Sequence, residues 1–289
     1  MGEVEVAGVL LDSGRDKMEK IRFEPREKVA ESLKNIHRKV AVMSGKGGVG
    51  KSTVAANLAL ALSMRGLKVG LLDCDMHGPS IPKILGIEDE RATGTGSVIN
   101  PISAQNGMEV MSLGFLLPER DSAVIWRGPL KMKAIAQLLG DVKWGNLDYL
   151  VVDLPPGTGD EPLSIAQLIP DPDGTVIVTT PQDVALLTIR RTVNFAREVG
   201  LPVLGLIENM SGFVCPYCGR EIEIFKPGGG EKLASELGIP FLGRIPLDPK
   251  IVRSGEEGKP FVLESGSVSA KIFGNIVDRI EMSLDKREV

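Results

Sequence analysis

Ser44-Gly45-Lys46-Gly47-Gly48-Val49-Gly50-Lys51-Ser52-Thr53 constrains the fold of this chain more than any other stretch, because G-x-x-x-x-G-K-[ST] is present in full from Gly45 to Ser52. Lys39-Val40-Ala41-Val42-Met43 runs into it, and an Ala/Leu-rich stretch from Val54 to Met64 leaves it. A strand, a glycine loop and a helix in that order form the context in which the pattern means phosphate binding. The glycines let backbone N–H groups turn inward around an anion, and the helix N-terminus adds partial positive charge. Lys51 is expected to reach the β- and γ-phosphates and the Ser52 hydroxyl to bind Mg²⁺. The expected nucleotide cradle is therefore Gly45, Lys46, Gly47, Gly48, Val49, Gly50, Lys51, Ser52 and Thr53.

Around this motif the chain reads as one domain. Strand-like runs recur at Val40–Met43, Val69–Leu72, Val110–Leu113, Leu150–Val152, Thr175–Thr179, Val203–Ile207 and Phe241–Ile245. Helical stretches separate most of them, among them Leu130–Leu139, Ala185–Val199 and Glu231–Leu237. Short continuous apolar strands alternating with helices predict an α/β fold, a doubly wound and mostly parallel β-sheet flanked by helices on both faces. Gly66, Gly200 and Gly238 stand where helices close before the next strand. Ile87 to Gln105 reads as a long connection or small excursion. Ile272, Phe273, Ile276, Val277, Ile280 and Leu284 share one face of a C-terminal helix that docks on the core. Residues 1–38 read as a charge-rich arm, partly helical or disordered, with Leu33 and Ile36 in a short helix; residues 39–289 form the nucleotide-binding domain.

Carboxylates follow the phosphate loop at strand ends. Leu71-Leu72-Asp73-Cys74-Asp75 places two at the carboxyl edge, where open α/β sheets bind ligands. Spaced by two, Asp73 and Asp75 point the same way if the strand continues. One of them orients or deprotonates the attacking water, and the other approaches Mg²⁺ through a coordinated water. Asp148-Tyr149-Leu150-Val151-Val152-Asp153 is an apolar strand ending in an acid, and Asp153 is expected in the Mg²⁺ shell. Leu154-Pro155-Pro156-Gly157-Thr158-Gly159-Asp160 has the composition of a switch loop. Asn209 stands where an amide can bond an adenine edge, with Ile245-Pro246-Leu247-Asp248 on the other side of the base.

Composition excludes other classes. Net charge is -4, which gives no general basis for nucleic-acid binding. No apolar run approaches the length of a membrane span, and the N-terminus lacks a signal region, so a cytoplasmic protein without a membrane partner is expected. Three cysteines are too few for a disulfide framework, and two of them form Cys215-Pro216-Tyr217-Cys218. Three readings stand for that pair: a redox couple, a metal site within one chain, or half of a four-thiolate site completed by a second copy. Iron–sulfur and zinc both suit thiolates. Cys74 reads as a packing residue.

Lys46-Gly47-Gly48-Val49-Gly50-Lys51-Ser52 resembles the deviant Walker A of dimeric ATPases. Asp73-Cys74-Asp75-Met76-His77-Gly78-Pro79-Ser80, Trp126-Arg127-Gly128-Pro129, Asp153 to Asp160, Glu208-Asn209-Met210 and Cys215-x-x-Cys218 extend the resemblance to the Mrp/ApbC family, within the wider ParA/MinD group. Members are P-loop ATPases that carry iron–sulfur clusters to apoproteins, and the match runs from about residue 38 to the end. The resemblance implies slow, Mg²⁺-dependent ATP hydrolysis with Lys46, Lys51 and Asp73 as catalytic residues, Lys46 acting across a homodimer. It implies Ser52, Asp75 and Asp153 around Mg²⁺, and Cys215 and Cys218 as bridging ligands of a [4Fe-4S] cluster, with structural zinc as the alternative metal. Apoprotein clients would receive the cluster. A ParA/MinD-like spatial regulator is the rival reading, and it leaves the thiol pair unexplained. The arm carries neither the four-cysteine motif of some relatives nor room for the partner-recruiting domain of others.

Overall fold

The computed structural model of the chain describes residues 25–76, 78–96, 98–116, 128–214, 218, 220–222 and 228–288. His77, Trp126, Arg127, Cys215 and residues 1–24 of the arm lie outside the described residues.

The chain opens with α1 (Pro25–Leu33), β1 (Ile36–Ser44), α2 (Lys51–Met64), β2 (Val69–Asp73) and the single turn α3 (Ile81–Ile84). Three short strands follow, β3 (Thr93–Thr95), β4 (Val98–Asn100) and β5 (Ile102–Ser103), then β6 (Glu109–Ser112) and α4 (Gly128–Gly140). The second half runs β7 (Leu147–Asp153), α5 (Asp160–Leu168), β8 (Gly174–Thr179), α6 (Asp183–Glu198) and β9 (Val203–Glu208). It ends with β10 (Phe213–Val214), β11 (Glu221–Ile222), α7 (Gly229–Leu237), β12 (Phe241–Arg244), α8 (Pro249–Glu256) and α9 (Val268–Glu288).

Among the described residues, eight strands form the main sheet in the order β12-β9-β8-β1-β7-β2-β6-β5. All neighbours pair in parallel except β5, which runs antiparallel to β6 at the edge. Every residue of β2, β8 and β9 is buried, as expected of strands covered on both faces. The parallel sheet read from the sequence is the sheet found.

Local differences have local causes. Ile36 belongs to β1 and not to the preceding helix, because it pairs with Leu147 of β7. The helix itself, α1, sinks Val29 and Leu33 completely into the common core, and the Ser32 hydroxyl donates to the Val142 carbonyl at 3.0 Å. β6 stops at Ser112 and the chain turns into a 3-10 helix at Leu113. The Ile87–Gln105 excursion contains the β3–β4 hairpin and β5. On α9, Phe273, Ile276, Val277, Ile280 and Leu284 are buried as the sequence pattern requires.

Candidate nucleotide site and thiol hairpin

β1 delivers the glycine loop to the carboxyl edge of the sheet, and α2 carries Lys51 and Ser52 on its first turn. Gly50 at φ 83° caps that helix in the left-handed region that favours glycine. A Cβ at Gly50 would also lie 2.2 Å from the Asn209 amide nitrogen, so no side chain fits there. Gly45 is closed off from the other side: a Cβ there would lie 2.6 Å from the Thr188 hydroxyl on α6.

β1, β2 and β7 bring three motifs together. Lys51 Nζ donates to Asp153 Oδ1 at 2.7 Å, and the Ser52 hydroxyl donates to Asp153 Oδ2 at 2.5 Å. Asp73 faces Asp153 across the β2–β7 register. Its carboxyl accepts the Asp75 N–H and the Ser112 hydroxyl, each at 3.1 Å. Burial first, and then the neighbouring Asp153, push the Asp73 carboxyl up to about 8. Burial also raises Asp153, opposed chiefly by Lys51. The same burial, with Asp73 beside it, raises the Cys74 thiol well above its ordinary range, and the side chain is fully enclosed. It packs, as its position in the sequence suggests.

The condition for Asp73 and Asp75 to point the same way is not met, since β2 ends at Asp73 and alternation ends with it. Asp73 is buried, whereas Asp75 lines the cavity over the phosphate loop, 4.0 Å from Lys51 Nζ. That cavity, about 280 Å³, is also lined by Gly47, Gly48, Ser80 and Pro156. The switch-like loop is tied in by the Gly157 N–H donating to the Ser44 carbonyl at 2.8 Å. Lys46 lies to the side, its Nζ donating to Gln182 Oε1 of the same chain at 3.2 Å.

A second cavity of about 300 Å³ adjoins Gly50 and Thr53. Asn209, Met210, Pro246, Leu247, Asp248, Ile251 and Val252 line it, so the two segments expected around a base do meet there. The Asn209 amide is engaged in this structure, donating to the Val49 carbonyl at 2.8 Å.

Beyond Met210 the chain leaves the sheet as the β10–β11 hairpin, with Phe213 opposite Ile222 and Val214 opposite Glu221. Cys218 lies between these strands, a free and exposed thiol, and its motif partner Cys215 is outside the described residues. Among the described residues no three His, Cys, Asp or Glu side chains gather into a metal-binding group. No described helix is long and apolar enough to cross a membrane.

Sequence reasoning assigned no part to Gln182, Ser112 or, beyond its place in a motif, Glu208. Glu208 had a readable signal, as it ends an apolar strand in an acid just as Asp73 and Asp153 do.

Comparison with known proteins places this geometry. The family model described as the NUBPL iron-transfer P-loop NTPase, of the ParA group, matches residues 35–281. An iron-sulfur cluster carrier protein of Methanocaldococcus jannaschii is 51% identical over 257 residues, covering 88% of this chain and 89% of that protein. One from Saccharolobus solfataricus is 51% identical over 254 residues, covering 88% and 86%. Among solved structures, the nucleotide-binding protein of Archaeoglobus fulgidus in complex with ADP superposes with a TM-score of 0.74 at 40% identity, covering 86% of this chain and 96% of that one. The Pyrococcus furiosus cell division ATPase MinD follows at 0.64 and 27% identity, covering 86% and 99%.

Proposed function

Because this chain belongs to the NUBPL iron-transfer P-loop NTPase family, we propose that it is an ATP-hydrolysing carrier that holds an iron–sulfur cluster between two copies of itself and delivers it to apoproteins. The observation that carries this reading is a phosphate site closed by Lys51, Ser52 and Asp153 beside a hairpin that presents the exposed thiol of Cys218. The relatives from Methanocaldococcus jannaschii and Saccharolobus solfataricus, both named iron-sulfur cluster carrier proteins, support it over most of their length.

In the working site the triphosphate lies over the loop, within reach of the inward amides from Gly47 to Thr53. Lys51 turns from Asp153 to the β- and γ-phosphate oxygens. The oxygen donors of Ser52, Asp153 and Asp75 suit a hard cation that retains waters, so they are the residues to hold Mg²⁺. When bound, the ion neutralises charge on the phosphates. Asp75, on the cavity wall, is placed to orient the attacking water, while Asp73 behind it fixes the Asp75 backbone through its N–H. The purine fits between Asn209 and the Pro246–Asp248 turn. Lys46 leaves Gln182 and reaches the partner copy's phosphates, where a cation meets the developing charge. Such a site works mostly by positioning, and hydrolysis is slow until the dimer forms.

A [4Fe-4S] cluster takes four thiolates, and each chain offers Cys215 and Cys218. The cargo therefore sits on the dimer axis. Anaerobic reconstitution with iron and sulfide, read as metal and sulfide content against oligomeric mass, tests this. One four-iron cluster per dimer, lost on Cys215→Ala or Cys218→Ala, is the expected result. A full cluster on a monomer, or zinc alone after attempted reconstitution, would overturn the reading.

A further inference from the structure

Glu208, the last residue of β9, is fully buried and collects hydrogen bonds from both ends of the excursion that carries the thiols. Oε1 accepts the Ser211 hydroxyl at 2.5 Å, before the hairpin, and the Gly228 N–H at 3.2 Å, after it. Oε2 accepts the Gly230 N–H at 2.5 Å, on the first turn of α7, and Arg244 of β12 stands 3.5 Å from Oε1. A buried carboxylate is costly unless both its oxygens are satisfied. Here the donors come from the segments on either side of the hairpin. The neighbouring residue faces the other way, with the Asn209 amide on the carbonyl of Val49 inside the phosphate loop. Met210 then adopts φ 57°, a left-handed conformation rare for a side chain of its size, as the chain turns into the hairpin.

We propose that Glu208 is the positioning residue of the thiol hairpin, clamping its two roots together, and that the Glu208-Asn209 pair makes the placement of Cys218 depend on whether the phosphate loop holds a nucleotide. The clamp stands on geometry alone, and its purpose rests on the carrier reading above. A nucleotide that engages the Asn209 amide or shifts Val49 moves a backbone whose next residue holds both ends of the hairpin. Glu208→Gln puts an NH₂ group where a carboxylate oxygen was, so either the Gly230 N–H, or the Ser211 hydroxyl and the Gly228 N–H together, lose their acceptor. Gly230→Ala keeps the carboxylate but sets a Cβ 2.8 Å from Oε2 and pushes it aside.

The test is the alkylation rate of Cys218 by iodoacetamide in the full-length, metal-free protein, read peptide by peptide, with buried Cys74 as the internal reference. It is measured without nucleotide, with Mg·ADP and with Mg·AMPPNP. In the wild type, nucleotide should change the Cys218 rate by about fivefold, a coupling of ordinary size. Both variants should bind nucleotide within about threefold of wild type, alkylate faster than wild type without it, and lose the response to it. A response kept in both variants, or a wild type indifferent to nucleotide, would overturn the proposal. If Glu208→Gln does not fold, Gly230→Ala and Ser211→Ala decide it by the same readout. Iron reconstitution on the same preparations separates the two readings. A wild type that takes no iron removes the carrier function and leaves the clamp, whereas iron uptake with an unchanged variant response removes only the clamp.

Discussion

At the carboxyl ends of β1, β2, β6 and β7, a cation, hydroxyls and carboxylates that complement one another have met within a single chain. Lys51 lies against Asp153 and Asp75, Ser52 against Asp153, and Ser112 against Asp73. The hairpin that leaves β9 is built otherwise: two residues pair in each strand, and Cys218 stands exposed. A nucleotide can be bound by one copy because anion recognition rests on backbone amides and the lysine of the same loop. A soft-metal site needs several thiolates, and a two-cysteine hairpin supplies half of them. The contrast predicts that nucleotide binding belongs to the monomer and cluster binding to the pair.

The sharpest attempt to break that contrast is Cys218→Ala. Cluster incorporation should fall to background while ATP affinity and basal hydrolysis stay within about twofold, measured by iron content and phosphate release, since no thiol takes part in phosphate recognition. Lys51→Ala should do the reverse, reducing turnover by roughly 10²–10³-fold, as loss of one charge-stabilising group commonly does. It should leave cluster content on the pair intact. Lys46→Ala probes where the two regions share a dimer. Hydrolysis should fall by roughly 10²-fold with ATP affinity nearly kept. Mixing with Asp75→Asn should restore part of the rate, because one composite site of the mixed dimer is whole. Heterodimers that form without any rescue would place the action of Lys46 within its own chain.

The smallest effect concerns the buried acid behind the loop. In the folded, nucleotide-free chain Asp73 holds its proton up to about 8, against an ordinary value of 3.8. Between those values folding takes up a proton, so this group's contribution to stability declines as pH rises. Asp73→Asn should therefore raise the melting temperature at pH 8 by a few degrees, with the gain shrinking toward pH 5. Turnover should suffer less than in Asp75→Asn, whose side chain lines the cavity. A larger loss in the Asp73 variant would return the water-orienting role to it.

Much of this was legible because it rests on local pattern. The glycine loop, its flanking strand and helix, and the carboxylate ending β7 are read from contiguous residues, and in the structure Lys51 and Ser52 both contact Asp153. Asp75 was harder, since alternation tells the direction of a side chain only while a strand lasts, and β2 stops two residues short of it. Glu208 was harder still. Two of its hydrogen-bond donors lie 20 and 22 residues downstream, and no spacing rule announces partners that the fold alone brings back. Ile36 went to the strand because Leu147 pairs with it, a contact invisible to periodicity.

The strand order has a consequence for the chain during its synthesis. β1 lies between β7 and β8, and Lys51 meets an acid 102 residues further on. At about 5–20 residues per second, a ribosome makes the phosphate loop roughly 5–20 s before its carboxylate exists. Over that interval β1 has neither neighbour, and the backbone N–H and C=O groups along both its edges are without a strand to pair with. A nascent chain stalled before β7 has the glycine loop, Lys51 and Ser52 but lacks Asp153. The contacts that Lys51 and Ser52 make with Asp153 can form only once β7 has emerged, so this part of the site is completed well after the loop itself is made.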